Sequence, residues 1–239
     1  MKIALLISGG GTTMEAIIKA CQSKELPNVE PVLVIASNPQ ARGIHKAKNL
    51  GFKDEDIVIL EPKAFATPDL FGEAIIAECQ AHHVDFIGQY GWLAKTPSNV
   101  CMAYKDKIIN QHPGPLDNGR PDFGGAGMYG MRVHAARLEF VKKTGHDFWT
   151  EATAHRVTEV FDEGKIVKRK QMPIFQNDTP EILQARVLPI EHEVQIETLR
   201  DFANNTVTEF IREKPLILPE EETILQEAKE HARKLYPQG

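Results

Sequence analysis

Cysteine is scarce in this chain. Cys21, Cys79 and Cys101 are odd in number, far apart and free of any Cys-x-x-Cys spacing, so neither a disulfide framework nor a structural zinc site is suggested. Long apolar runs are also missing: none approaches the roughly 18 residues that a membrane span needs. The first residues enter a strand pattern without the charged, apolar and cleavage regions of a secretory leader. Basic excess is lacking too. With 28 Lys and Arg against 33 Asp and Glu, a net charge of -5 gives no electrostatic ground for nucleic acid or a membrane as the main partner. The expectation is a cytoplasmic protein with spectator thiols that works on small molecules.

What is present reads as an α/β chain. Apolar strand-like runs over 2–7, 31–36, 56–60 and 84–87 alternate with helical spacing over 14–21, 41–50 and 69–82, the pattern of a doubly wound, mostly parallel Rossmann-like sheet. Further strands are expected over 107–112, 150–158 and from 164, with helices over 131–142, within 180–204 and over 220–236. The last of these is charged and suits the surface or the face of a second copy in a homodimer. Residues 117–130 hold five glycines in fourteen positions, which argues against core packing and for a functional loop or lid.

Two stretches carry chemistry. In the first, Ser8-Gly9-Gly10-Gly11-Thr12-Thr13 breaks a strand just before a helix. Glycines let N–H groups turn toward an anion, Thr12 or Thr13 can cap the helix, and a helix N-terminus favours negative charge. A phosphate or carboxylate fits, as does a plain tight turn. The P-loop ending Gly-Lys-Ser/Thr is absent, and the second strand runs into Ser37-Asn38-Pro39 with no acid for a ribose, which disfavours a nicotinamide enzyme. In the second stretch, Pro113 and Pro115 stop the strand at His112, because proline has no N–H for a ladder. Side chains alternate along a strand, so Asn110 and His112 project to one side at its carboxyl end, where open α/β sheets place ligands. Local backbone bonding would explain the same pair. Tyr90 and Trp92, in the loop after the fourth strand, suit a pocket wall and core packing equally. Asp162, in the acidic connector 159–164, would orient His112 if the fold brought them together.

With these segments in hand the chain resembles the folate-dependent formyltransferases. "KIALLISGGGTTMEAIIKAC" is similar to the family's first strand, phosphate loop and helix, and "INQHPGPL" to its Asn-x-His-Pro segment. "AHRVTEVFDEGKIV" is similar to its His-x-Val-x-x-x-x-Asp-x-Gly segment, and "ARVLPIEHEV" to its later Glu-His helix. The resemblance runs in order over about residues 1–205, implying a formyltransferase domain there and a C-terminal extension with a surface helix over 206–239. It implies that a formyl group passes from 10-formyltetrahydrofolate to an amine without a metal, with phosphoribosylglycinamide of purine biosynthesis as the leading acceptor. Amino sugar nucleotides or hydroxyornithine are the alternative acceptors, and a non-catalytic nucleotide- or folate-binding module is the alternative of another class. By the same carry-over Asn110, His112 and Asp162 are catalytic. Gly11, Thr12 and Thr13 hold the substrate phosphate, Glu191 its ribose hydroxyls, and Trp92, Leu93, Ala94 and Lys95 the folate pterin, largely through backbone groups. Leu93 stands where the family commonly has arginine, and Gly114-Pro115-Leu116-Asp117 replaces its usual Ser-Leu-Leu-Pro.

Overall fold

The computed structural model describes residues 1–239. The strands are β1 (Lys2–Ile7), β2 (Glu30–Ala36), β3 (Ile57–Ile59), β4 (Phe86–Gln89), β5 (Ile108–His112), β6 (Trp149–Arg156) and β7 (Ile166–Pro173). The helices are α1 (Thr12–Gln22), α2 (Arg42–Asn49), α3 (Pro68–Ala81), α4 (Ser98–Ala103), α5 (Met131–Thr144), α6 (Pro180–Ala203) and α7 (Glu222–Leu235). Seven strands form one sheet in the order β3-β2-β1-β4-β5-β6-β7. The β1–β2, β2–β3, β1–β4 and β4–β5 pairs are parallel, while β6 and β7 are antiparallel. The doubly wound, mostly parallel expectation holds.

By contact the chain forms two compact units: residues 1–110, 156–159 and 195–207 make the first, and 111–155, 160–194 and 208–239 the second. The extension expected over 206–239 thus gives its residues 208–239 to the second unit.

The first unit is built on β1, whose run from Ile3 to Ile7 is fully buried, as a central parallel strand covered on both faces requires. The chain winds outward from β1 through β2 to β3, then returns to lay β4 on the other side of β1. That reversal is a topological switch point, which opens a crevice at the carboxyl ends of β1 and β4. Leu6, Leu33, Ile35, Phe71, Ile75 and Ile87 share one core cluster. Helix α3 begins where Thr67 Oγ1 accepts from the Leu70 N–H at 3.2 Å, with Pro68 in the first turn, a position where its missing N–H costs nothing.

In the second unit, β6 and β7 pair from Trp149↔Pro173 to His155↔Ile166. Helix α5 ends at Gly145, whose φ of 76° is the left-handed conformation that glycine adopts freely. Buried Arg137 lies over the rings of Phe123, Phe140 and Trp149 and donates to the carbonyls of Trp149 and Asp147. Its charge is therefore hydrogen-bonded rather than stranded.

The glycine-rich segment departs from expectation. Phe123 and Met128 are buried, and Phe123 meets Phe140 edge-on at 5.4 Å. Asp117 Oδ1 accepts from Arg120 and its Oδ2 from the Leu216 N–H, while Asn118 bridges the Gly164 carbonyl and the Ile166 N–H. This segment packs into the core and is tied down, which is not the behaviour of a free lid.

Candidate active site

His112 closes β5 at the residue before Pro113. It is 2% exposed, its Nδ1 lies 3.8 Å from Asp162 Oδ2, and its buried Nε2 meets no hydrogen-bond partner. At 3.8 Å the pair interacts through charge rather than through a formed hydrogen bond. Burial pushes the imidazole down to about 4, against the neighbouring carboxylate, which pulls it upward. His112 is thus neutral near pH 7, with one ring nitrogen turned to an acid and the other unpaired.

Asp162 takes a left-handed conformation, φ 61°, in the connector after β6. Its Oδ2 accepts from the Gly125 N–H at 2.9 Å, and its Oδ1 lies 3.4 Å from His155 Nε2. Burial works to raise this carboxyl, but His112, His155 and the Gly125 N–H outweigh it and hold it well below the usual carboxylate range. An ionised carboxylate therefore stands between two imidazoles. Asn110 sits two residues before His112 on β5, so strand alternation turns both side chains to one side of the sheet.

Glu191 is reached from the other side of that strand. Gln111, between Asn110 and His112, donates its side-chain amide to Glu191 Oε2. Glu191 is 4% exposed, and burial pushes its carboxyl up to about 7 against the opposing Gln111 bond.

In the first unit, the segment after β1 turns into α1 through Gly11, which caps the helix with φ 62° and no side-chain bond. The cap expected of Thr12 or Thr13 is absent because α1 already starts at Thr12. Glycine is required at residue 11 for a second reason: an added Cβ would stand 2.7 Å from the Gly43 Cα. Cβ atoms at Gly9 and Gly10 would meet nothing within 4 Å, so the loop's outer face is open, and the first N–H groups of α1 have no partners within the helix. These features fit an anion.

The segment after β4 is coupled to this loop. The Ser8 N–H donates to the Gly91 carbonyl at 3.0 Å, and the Leu93 N–H donates to Ser8 Oγ at 2.8 Å. Trp92 is 7% exposed and stacks on Phe71 at 6.2 Å, so its ring belongs to the core, as does buried Tyr90. Leu93, half exposed, and Lys95 present the segment's surface, while Gln89 donates to Thr96 at 2.6 Å beneath it.

The Formyl transferase family model matches residues 1–199. The chain belongs to the formyl transferase family. Among similar proteins, the chloroplastic phosphoribosylglycinamide formyltransferase of Arabidopsis thaliana is 32% identical over 200 residues, 83% of this chain and 64% of that protein. The Bacillus subtilis phosphoribosylglycinamide formyltransferase is 30% identical over 80% of this chain and 89% of its own length. The chain spans 64% and 59% of the Arabidopsis and Vigna unguiculata relatives. Among solved structures, phosphoribosylglycinamide formyltransferase from Brucella melitensis superposes with a TM-score of 0.72 at 31% identity, covering 87% of this chain and 98% of that one. Glycinamide ribonucleotide transformylase 1 from Symbiobacterium toebii gives 0.74 at 29%, covering 86% and 88%.

For this formyl transferase, the fold brings together His112 and Asp162, sets Asn110 beside His112 on one strand, and groups Gly11, Thr12 and Thr13 with residues 91–95 at the switch point. Two further residues of the site, His155 and Gln111, have no part in the expectations drawn from the sequence. The first lies seven residues before Asp162 within the quoted His-x-Val-x-x-x-x-Asp-x-Gly segment, where its spacing was a usable signal. The second is visible only once its partner Glu191 is placed.

Proposed function

We propose that this chain transfers the formyl group of 10-formyltetrahydrofolate to the amine of phosphoribosylglycinamide, as in purine biosynthesis. The observation that carries this reading is the neutral His112 with its unpaired Nε2, backed by ionised Asp162 at the end of the strand that also bears Asn110. The names of the relatives support the acceptor. The donor supplies an electrophilic formyl carbon; the rest is asked of this chain's side chains. The Asn110 amide donates to the formyl oxygen as that oxygen gains charge, an interaction worth about 10²–10³ in rate in comparable sites. His112 Nε2 takes the proton that the attacking amine must lose, Asp162 stabilises the imidazolium so formed, and that proton then passes to the donor nitrogen as its bond to the formyl carbon breaks and tetrahydrofolate leaves, a role typically worth ~10²–10⁴. In the first unit, the N–H groups after Gly11 hold the phosphate and residues 92–95 bind the pterin through backbone groups. In the second, Glu191, poised near neutrality, can accept from or donate to a ribose hydroxyl. The reading places the reaction in the cytoplasm among small molecules, without a nucleic-acid or membrane partner.

The test is a steady-state assay of 10-formyltetrahydrofolate consumption with phosphoribosylglycinamide, with a panel of other amines and with no acceptor. Turnover that depends on phosphoribosylglycinamide is expected. Activity confined to an amino sugar nucleotide or hydroxyornithine would move the chain to a sister activity, and the unusual segment after His112 is the feature that would favour that outcome.

A further inference from the structure

The family match ends at residue 199, yet a side chain far beyond it reaches the glycine-rich segment that hydrogen-bonds Asp162. Lys229 lies on α7 and is 8% exposed, and its Nζ donates to the Gly124 carbonyl at 2.9 Å. The next N–H along the chain, that of Gly125, donates to Asp162 Oδ2 at 2.9 Å. The Gly124 carbonyl and the Gly125 N–H belong to one planar peptide unit. A cation therefore pulls on one end of that peptide while its other end holds the acid beside His112, and each bond polarises the other.

The surroundings allow this peptide little freedom. Asp122 accepts from the Gly124 N–H and the Asp117 N–H, both at 2.8 Å. A Cβ on Gly124 would stand 2.6 Å from Leu116 Cδ2 and 2.8 Å from Asp162 Cβ. Helix α7 is itself fixed: Leu225, Ala228 and Ala232 are buried, and Arg132 of α5 donates to the Tyr236 and Pro237 carbonyls at 2.8 Å each. The position of the ammonium is set by the fold rather than by a flexible stem.

We propose that Lys229 is a positioning residue, which clamps the Gly124–Gly125 peptide and so aims the Asp162 carboxylate at His112. This rests on the reading of Asp162 as the partner of His112. It assigns the C-terminal helix a part in the reaction centre.

The experiment uses the full chain with Lys229→Met, which keeps the stem and removes the charge, and Lys229→Arg, which restores a cation. Two readouts do not depend on turnover: the exchange rate of the Gly125 amide proton and the titration of His112, both by NMR. His112 is faced by Asp162 and His155, by Lys229 from α7 and by His134 from α5. Loss of the clamp is expected to speed Gly125 exchange at least tenfold and to lower the His112 midpoint, because an Asp162 no longer aimed at the ring gives up its upward pull; removal of the Lys229 charge without any loosening would raise the midpoint instead and would overturn the proposal. In the same variant kcat should fall tenfold or more while KM for both substrates stays within twofold, with Lys229→Arg recovering at least half of the loss. If the Met variant does not fold, Lys229→Gln replaces it. A lowered thermal midpoint with Gly125, His112 and kcat unchanged would overturn the proposal, as would altered NMR readouts with kcat intact. Absence of formyl transfer by the unaltered chain sinks the proposed function alone, because the NMR readouts still decide whether Lys229 governs Asp162.

Discussion

A single buried side chain can set how stability depends on pH. His134 of α5 is 1% exposed with no partner for either ring nitrogen, and burial pushes it down to about 3. Its unfolded value is near 6.5, so the unfolded chain binds the extra proton first. The stability that goes with neutral His134 is present above about 6.5 and is lost as pH falls toward 3. Replacing it with Leu removes both this liability and an unsatisfied polar group, whose burial costs roughly 1–3 kcal/mol. His134→Leu should therefore be more stable than the parent at pH 7, with the margin widening down to pH 5. Urea melts at both pH values give the answer, and a margin that shrinks on acidification would refute the assignment. Asp162→Asn tests the reaction itself. It removes the charge that steadies the His112 imidazolium while keeping the shape, so kcat should fall about 10²-fold or more with KM nearly unchanged. Normal turnover in that variant would take Asp162 out of the mechanism.

Among the elements, the turn from β1 to α1 is the most exacting. Gly11 combines a positive φ with a backbone neighbour 2.7 Å from where a Cβ would go, and backbone atoms cannot swing away as a side-chain tip can. Gly11→Ala should cost about 1–3 kcal/mol of stability. It should also raise KM for the phosphorylated acceptor at least tenfold while that for the folate donor moves far less. An equal rise in both would mean that the loop does not hold the phosphate. Elements of this kind were legible because apolar runs bounded by glycine announce strand, turn and helix in a few residues. Helix α4 was not legible: its six residues bury only Val100, too few for a period to show. Residues 117–130 misled for a different reason. Their composition is that of a loop, but the bonds that order them come from far along the chain, as in Asp117 to Leu216, 99 residues apart, or Asn118 to Gly164, 46 apart. The Asn110 and His112 pair could be read from strand alternation and proline, whereas Gln111 and Lys229 matter through partners that only the fold supplies.

For the molecule as a whole, the two units depend differently on the C-terminal residues. In the second unit, Arg212 bonds both the Leu116 carbonyl and fully buried Glu151, whose other oxygen accepts from Arg169 at 3.0 Å. Removing Arg212 leaves Arg169 as the one cation on this buried carboxylate, a loss that stays below the roughly 3–5 kcal/mol typical of a buried charge stranded altogether. Removal of residues 208–239 would delete Arg212, uncover the apolar side of α5 that Ala228 and Ala232 meet, and release the Gly124 carbonyl from Lys229. The first unit holds only residues up to 207, and its parallel core around Leu6, Leu33 and Ile87 loses nothing by that cut. A chain ending at Val207 should accordingly keep slow hydrogen exchange in β1, β2 and β4 while protection collapses in α5, β6 and β7, with formyl transfer lost. Uniform loss across both halves would show that the first unit cannot stand without the second. Retained protection in β6 and β7 would show that the sheet edge needs neither Arg212 nor α7, and any loss of activity would then have to come from the Gly124–Gly125 peptide alone.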